Sequence, residues 1–348
     1  MSKNTKPYLS IIAASRNDNH GEDMLKRMRM FINGLIEQCN KYQLRTELII
    51  VEWNPPAETE PLHQVLPKPK TGDFLTLKYI VVPPELHYRY RFSKQIPLYQ
   101  MIAKNVGIRR AEGEFVLCTN VDLLFSDKLF EFLSAQKLDK NSYYRANRCD
   151  VPASIKEEWT LKQQFEFCEN NKLRVLGKNP LYSNMIDWPK WAFEKKFIAL
   201  TLNYLVGFKY TFYDPVAVTF IKLDSNACGD FTLMHKDTWT KIEGYPELDL
   251  YSIHIDTLGI AAAAALGYKQ VSLPSEACTY HIDHYNGWEA LAPLERMHFV
   301  HNKPSIGFDV VADASKYIMK HKTTLGFNKP NWGFADVELQ QITFNSPE

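Results

Sequence analysis

Apolar residues in this chain fall into short unbroken runs separated by longer segments of helical period. Residues 8–14 (YLSIIAA), 47–51 (ELIIV), 77–82 and 115–118 (FVLC) are runs of strand length. Apolar runs without polar alternation predict parallel strands buried on both faces. Between the first two runs, Leu25, Met28, Phe31, Ile32, Leu35 and Ile36 recur at the spacing of one helix face. That period predicts an amphipathic helix over 23–39. Strand, helix and strand in this order predict a right-handed parallel βαβ unit. The runs stop abruptly, at Ser15-Arg16-Asn17-Asp18, at Glu52-Trp53-Asn54 before two prolines, at Pro83-Pro84, and at Asn120-Val121-Asp122. These ends predict one common edge of an α/β sheet, the edge at which such sheets bind ligands.

The later chain carries further elements. A helix before Asn120 and another over DKLFEFL flank the fourth strand. Residues 143–152 read as a strand leaving the central sheet, and 155–176 as a polar, helical segment. The stretch 179–213 is rich in Trp, Phe and Tyr, and suits either an acceptor-binding insertion or a second small core. A buried strand over 228–234, a short helix over 237–242, a helix from Asp256 to the Ala-rich IAAAAALGY and a final strand over 269–273 follow. His281, Asp283 and His284 come next, then a polar tail.

Composition narrows the class. A chain of 348 residues holds one large domain or two ordinary ones, and 45% hydrophobic with 23% charged residues is soluble globular composition. A net charge of +1 argues against a nucleic-acid partner. The six cysteines (39, 118, 149, 168, 228, 278) contain no CxxC pair. They read as free thiols of a reducing compartment rather than as a disulfide framework or a zinc site. The apolar run near residue 10 is too short for a signal peptide or a membrane span. The expected location is therefore cytoplasmic, with peripheral membrane association as a further option.

Asn120 and Asp122 lie two residues apart at a strand end, so their side chains point the same way. A carboxylate there suits a hard divalent cation bridging phosphate oxygens. Asp122 equally suits an N-cap of the next helix, as does Ser126. No GxGxxG follows the first strand and no GxxxxGK[ST] occurs anywhere, which argues against a Rossmann dehydrogenase or a P-loop kinase. Phosphates would then need another partner, and a metal on Asp122 supplies one. Asp256 sits where it caps a helix, a position that does not exclude catalysis.

Taken in order, YLSIIAASRN, ELIIVEWNPP, KNVGIRRAEGEFVLCTNVDLLFS, CGDFTLMHKDTWTKIEGYPE and HIDTLGIAAAAALGYKQVSLP resemble the motifs of nucleotide-sugar glycosyltransferases of the GT-A fold, most closely the inverting family 2 type. The resemblance covers residues 8–135 and 225–285. It implies a central, mostly parallel sheet flanked by helices, with a Rossmann-like nucleotide-binding half (1–135), an acceptor-side insertion (136–225), a catalytic and acceptor half (226–290) and a C-terminal extension (291–348). Two positions depart from the family pattern: Asn120 stands at the first position of the DxD motif, and Ile255 replaces the Glu before the catalytic Asp.

The resemblance implies transfer of a sugar from a nucleoside-diphosphate sugar, with uridine the implied base, to a hydroxyl of a glycan, lipid-linked or other acceptor. Ser15, Arg16, Asn17 and Glu52 would hold the nucleoside, and Lys104 would approach the diphosphate. Asn120 and Asp122 would complete the donor site, with Mn²⁺ or Mg²⁺ on Asp122 and His281. Asp256 would be the general base. Asp230 and His254 would contact the acceptor, although Asp230 also suits a turn after Gly229. His281 and His284 also read as ordinary hydrogen-bonded histidines. Two other classes fit the same residues: a non-catalytic nucleotide-sugar-binding homologue and a sugar-nucleotide nucleotidyltransferase.

Overall fold

A computed structural model describes residues 6–177, 181–182, 223–284 and 302–345. The strands are β1 (Leu9–Ser15), β2 (Thr46–Trp53), β3 (Leu75–Val82), β4 (Phe115–Cys118), β5 (Leu123–Phe125), β6 (Ser142–Arg145), β7 (Arg148–Val151), β8 (Arg174–Leu176), β9 (Leu181–Tyr182), β10 (Thr232–His235), β11 (Lys269–Ser272), β12 (Thr279–Ile282) and β13 (Gln340–Phe344). An 8-stranded sheet has the order β11-β6-β10-β4-β1-β2-β3-β13. Within it, β10 and β13 run antiparallel to their neighbours and the remaining strands are mutually parallel. The expected α/β architecture, a mostly parallel sheet flanked by helices, is the one the chain adopts.

The continuous apolar runs are explained by two faces that are both covered. Ile12, Ile49, Val51 and Trp53 enter one core, while Ile11, Leu48, Ile50 and Leu77 enter another. Helices α1 (Met24–Tyr42) and α2 (Leu62–Val65) cover the second face. On the first face, past α3 (Pro84–His87), lies α4 (Gln100–Arg110). Gly107 lets α4 approach closely, since a Cβ there would run into the Ile12 side chain. Helix α5 (Asp127–Ser134) follows β5, and its cap is Ser126, whose Oγ accepts from Leu129 N. Asp122 is thus released from the capping role.

A 5-stranded second sheet, β5-β12-β7-β8-β9, packs its own small core of Cys149, Val151, Cys168, Cys278 and Tyr280. Helix α6 (Leu161–Asn170) carries Cys168 into it. The residues read as one departing strand are two, because β6 enters the main sheet and β7 the second. Residues 269–273 do not form the last strand either. β12 follows in the second sheet and β13 pairs antiparallel with β3 at the main sheet's edge. Both were obscured because their polar residues break the apolar run, and only a partner strand makes them β structure.

Helices α7 (Lys236–Lys241), α8 (Ile255–Ala265) and α9 (Phe308–His321) and a 3₁₀ turn over Trp332–Phe334 complete the described elements, with α9 packed against α8. The aromatic-rich stretch 179–213 lies outside the described residues apart from 181–182. All six cysteines are buried free thiols. Among the described residues, no helix is long and apolar enough to cross a membrane.

Candidate active site

The site forms where the two sheets meet. After β4 the chain turns through Thr119–Asp122 and re-enters as β5 in the second sheet. Antiparallel β10 lies beside β4 with Thr232 opposite Cys118, which brings residues 228–230 alongside 119–122. Thr119 Oγ1 donates to the Asp230 carbonyl at 2.7 Å. On the other side, β12 places His281 opposite both Leu123 of β5 and Asp150 of β7. The Ile282 N–H donates to the Asp122 carbonyl at 3.0 Å, locking that register.

These pairings gather Asp122, His281 and His284 into one cluster, with one ligating atom from each residue and all three atoms within 4.8 Å of one another. Asp122 Oδ2 lies 3.6 Å from His281 Nε2 and 3.4 Å from His284 Nε2. Asp122 Oδ1 is buried without a hydrogen-bond partner. Burial alone would raise the Asp122 pKa, but the His281 charge and bonds to His281 and His284 override it and hold the carboxyl well below its ordinary range. For His281, burial and the Arg148 guanidinium push the pKa down. Asp122 and Asp150 push it up and prevail, raising it to about 9. An orphaned carboxylate oxygen beside two imidazoles is a donor set that fits a divalent cation. The imidazoles favour a borderline ion such as Mn²⁺ over Ca²⁺.

A chain of hydrogen bonds runs from this cluster into the main sheet. Lys104 of α4 is wholly buried and donates to Asn120 Oδ1 at 2.9 Å and to the Gly229 carbonyl at 2.8 Å. Gln100 Nε2 also donates to Asn120 Oδ1, at 2.8 Å. The Asn120 amide donates in turn to Asp230 Oδ1. Asp230 Oδ2 then accepts from Arg148 Nη1 at 2.9 Å. Arg148 reaches Asp150 Oδ1 at 2.6 Å and His281 Nδ1 at 3.0 Å, while Asp150 Oδ2 is held by Arg174 Nε. Burial lowers the Lys104 pKa, against the pull of Cys118, Asp230 and Asp256.

Asp256 stands on the far side of Gly229, in the first turn of α8. The helix cap expected at Asp256 is His254, at a left-handed φ of 68°, with its ring 5.2 Å from Phe308. Asp256 Oδ1 accepts from Thr257 N at 3.0 Å. A Cβ on Gly229 would sit 2.9 Å from Asp256 Oδ2, too close for a carbon, so glycine lets the backbone pass this near the carboxylate. Burial raises the Asp256 pKa, opposed by the Cys228 hydrogen bond and by Lys104 and Arg145.

The structure thus brings together Lys104, Asn120, Asp122, Asp230, His281 and Asp256, and leaves other expected site residues outside the cluster. Ser15 Oγ faces the Met28 sulfur at 3.5 Å, under α1. Arg16 pairs with Asp18 at 3.3 Å, and Asn17 Nδ2 donates to the Glu60 carbonyl at 2.8 Å. Glu52 is wholly buried; its Oε1 accepts from Leu62 N at 2.9 Å and its Oε2 has no partner. Lys104, expected to reach the diphosphate, is instead buried behind Asn120, because its ammonium is bonded to Asn120 and Gly229. Asp230, expected at the acceptor, is 4% exposed and bonded to Asn120 and Arg148. His254, the other expected acceptor contact, is the α8 cap.

Sequence reasoning missed Arg145, Arg148, Asp150 and Arg174. Buried Arg145 donates to the Asp224, Asn226 and Cys228 carbonyls and so shapes the turn before Asp230. The one available signal was Arg148-Cys149-Asp150, opposite charges two apart on a strand and hence on one face.

No protein-family model and no curated protein matches this chain. Among solved structures it is similar to Staphylococcus aureus TarS, residues 1–349, with a TM-score of 0.41 and 13% identity over 93% of this chain and 72% of that one. A likeness of that size carries no fold or activity over to this protein.

Proposed function

We propose that this chain is a GT-A glycosyltransferase that moves a sugar from a nucleoside-diphosphate sugar, with uridine as the base, to a hydroxyl of a glycan, lipid-linked or other acceptor. One observation carries the reading: Asp122, with an orphaned oxygen, meets His281 and His284 at the carboxyl end of the central strand β4, on the edge where α/β sheets bind ligands. The motif order along the chain supports it. Asp122, His281 and His284 would hold Mn²⁺ or Mg²⁺, which when bound supplies Lewis-acid stabilisation of the departing diphosphate.

The protein's own groups do the rest. The nucleoside lies over the Ser15-Arg16-Asn17 turn and the end of β2 at Glu52. Lys104 fixes Asn120 and the Gly229 carbonyl, so the strand end and the base keep one geometry. Asp256 takes the proton of the acceptor hydroxyl. A single displacement with one base inverts the anomeric centre.

The test is a thermal-shift and hydrolysis screen of nucleotide sugars with Mn²⁺, Mg²⁺ or EDTA, on wild type and Asp122→Ala. The expected result is one nucleotide sugar that stabilises the wild type only with metal, and slow nucleoside-diphosphate release that Asp122→Ala abolishes. Binding without release in any acceptor mixture would favour a non-catalytic nucleotide-sugar-binding protein. No shift with any donor and metal would sink the donor site.

A further inference from the structure

A histidine ligand needs one ring nitrogen with a free lone pair, and the partner of the other nitrogen decides which one that is. In His281, Nε2 faces Asp122 Oδ2 at 3.6 Å and Nδ1 faces Asp150 Oδ1 at 3.1 Å. Arg148 Nη2 lies 3.0 Å from the same Nδ1. A carboxylate there calls for a proton on Nδ1, whereas a guanidinium can only donate and calls for a lone pair. The two neighbours therefore favour opposite tautomers, and only the one favoured by Asp150 leaves Nε2 free to ligate.

Asp150 is built not to swing away. It is the strand partner of His281 in the β7–β12 register, and its side chain is 4% exposed. Arg148 Nε holds its Oδ1 at 2.6 Å and Arg174 Nε holds its Oδ2. Arg148 is itself anchored at Asp230 Oδ2 at 2.9 Å. We infer that Asp150 is the positioning carboxylate of the cation site: it keeps the proton of His281 on Nδ1 against the competing Arg148, and so makes Nε2 the ligand. This rests on the cation site proposed above. Carboxylates in this outer position typically set ligand orientation and basicity, and their loss weakens metal binding about 10–100-fold.

The experiment is calorimetric titration of the full chain with Mn²⁺ alone, on wild type, Asp150→Asn and Val151→Ala. It is paired with ¹⁵N imidazole spectra of the Zn²⁺-loaded proteins. The expected result is Mn²⁺ binding about 10–100-fold weaker in Asp150→Asn, wild-type affinity in Val151→Ala, and an Nδ1-protonated His281 signal that is lost only in Asp150→Asn. Val151 is a buried core residue of β7, so equal weakening in both variants would mean that general loosening of β7 and not tautomer choice is at work, and would overturn the inference. Unchanged affinity in Asp150→Asn, with Nδ1 still protonated, would overturn it too and leave the cation site standing. A wild type that binds neither ion would overturn both.

Discussion

The two halves of the sheet's carboxyl edge use polar residues in opposite ways. At the β1–β2 end each polar side chain serves its own neighbourhood. Glu52 caps the backbone at Leu62, Asn17 ties down residue 60, and Ser15 lies under α1. At the junction of β4, β10, β7 and β12 the polar groups bond to one another instead. Asn120 reaches Asp230 110 residues away, and Arg148 reaches His281 133 residues away. A polar strand end is thus only a candidate. It becomes a site where several elements deliver charge to the same place and leave an atom such as Asp122 Oδ1 unsatisfied.

The largest effect should come from the junction's chemistry. Asp256→Asn should lower the transfer rate about 10²–10⁴-fold, the usual contribution of a general base, while leaving the metal-dependent donor shift intact. Loss of that shift would assign Asp256 to the donor site instead. In wild type the acid limb of the pH–rate profile should lie above an ordinary aspartate's range, since burial raises this carboxyl and the base must be ionised. Lys104→Met removes a lowering influence and should move that limb further up. The sign for stability is opposite. With its folded pKa above the unfolded one, Asp256 stabilises the fold at low pH and loses that contribution as pH rises through the folded value.

Arg148→Met should destabilise by about 3–5 kcal/mol in denaturant unfolding, because it leaves Asp150 and Asp230 short of a cation in a buried setting. The contrasting break on the other half is Leu48→Ala, wholly buried against α1. It should cost about 2–5 kcal/mol with no change in Mn²⁺ affinity at temperatures where the variant stays folded. A change in affinity would mean that the two halves are coupled.

Asn120→Asp creates a DxD sequence, and the geometry predicts that it does not improve the site. The amide both accepts from Lys104 and donates to Asp230, and an aspartate would set two carboxylates face to face. A loss of about 1–3 kcal/mol of stability and no gain in Mn²⁺ affinity are expected; tighter Mn²⁺ binding would make residue 120 a ligand. Least affected should be Ser15→Ala, which removes only contacts to methionine sulfur. It should change stability by less than about 1 kcal/mol; weaker donor binding in this variant would show that the nucleoside touches the Ser15 hydroxyl.

Local pattern was enough for β1 to β4, α1 and the helix that carries Asp256. Those segments are continuous apolar runs or clean 3.6-residue periods, and their form depends on residues close in sequence. Asp122 could also be singled out, since it follows an apolar strand, whereas His281 was singled out only through the family resemblance. The second sheet was not legible: β12 and β7 mix charge with β-formers, and they are strands because they pair with each other. Asp150 and His281 become neighbours through one register over a separation no periodicity spans.

From the sequence alone followed the α/β architecture, the polar ends of its strands and the residue types available there. Tertiary structure alone decided which of them meet. It buried Lys104 behind Asn120, bonded Glu52 to the Leu62 backbone, set Ser15 against Met28, and gathered Asp122, His281 and His284 around an orphaned oxygen. The physical reason is range. Helix and strand preference is set by backbone sterics and neighbours a few residues away, whereas hydrogen bonds and ion pairs act wherever strand register brings two groups within about 3 Å.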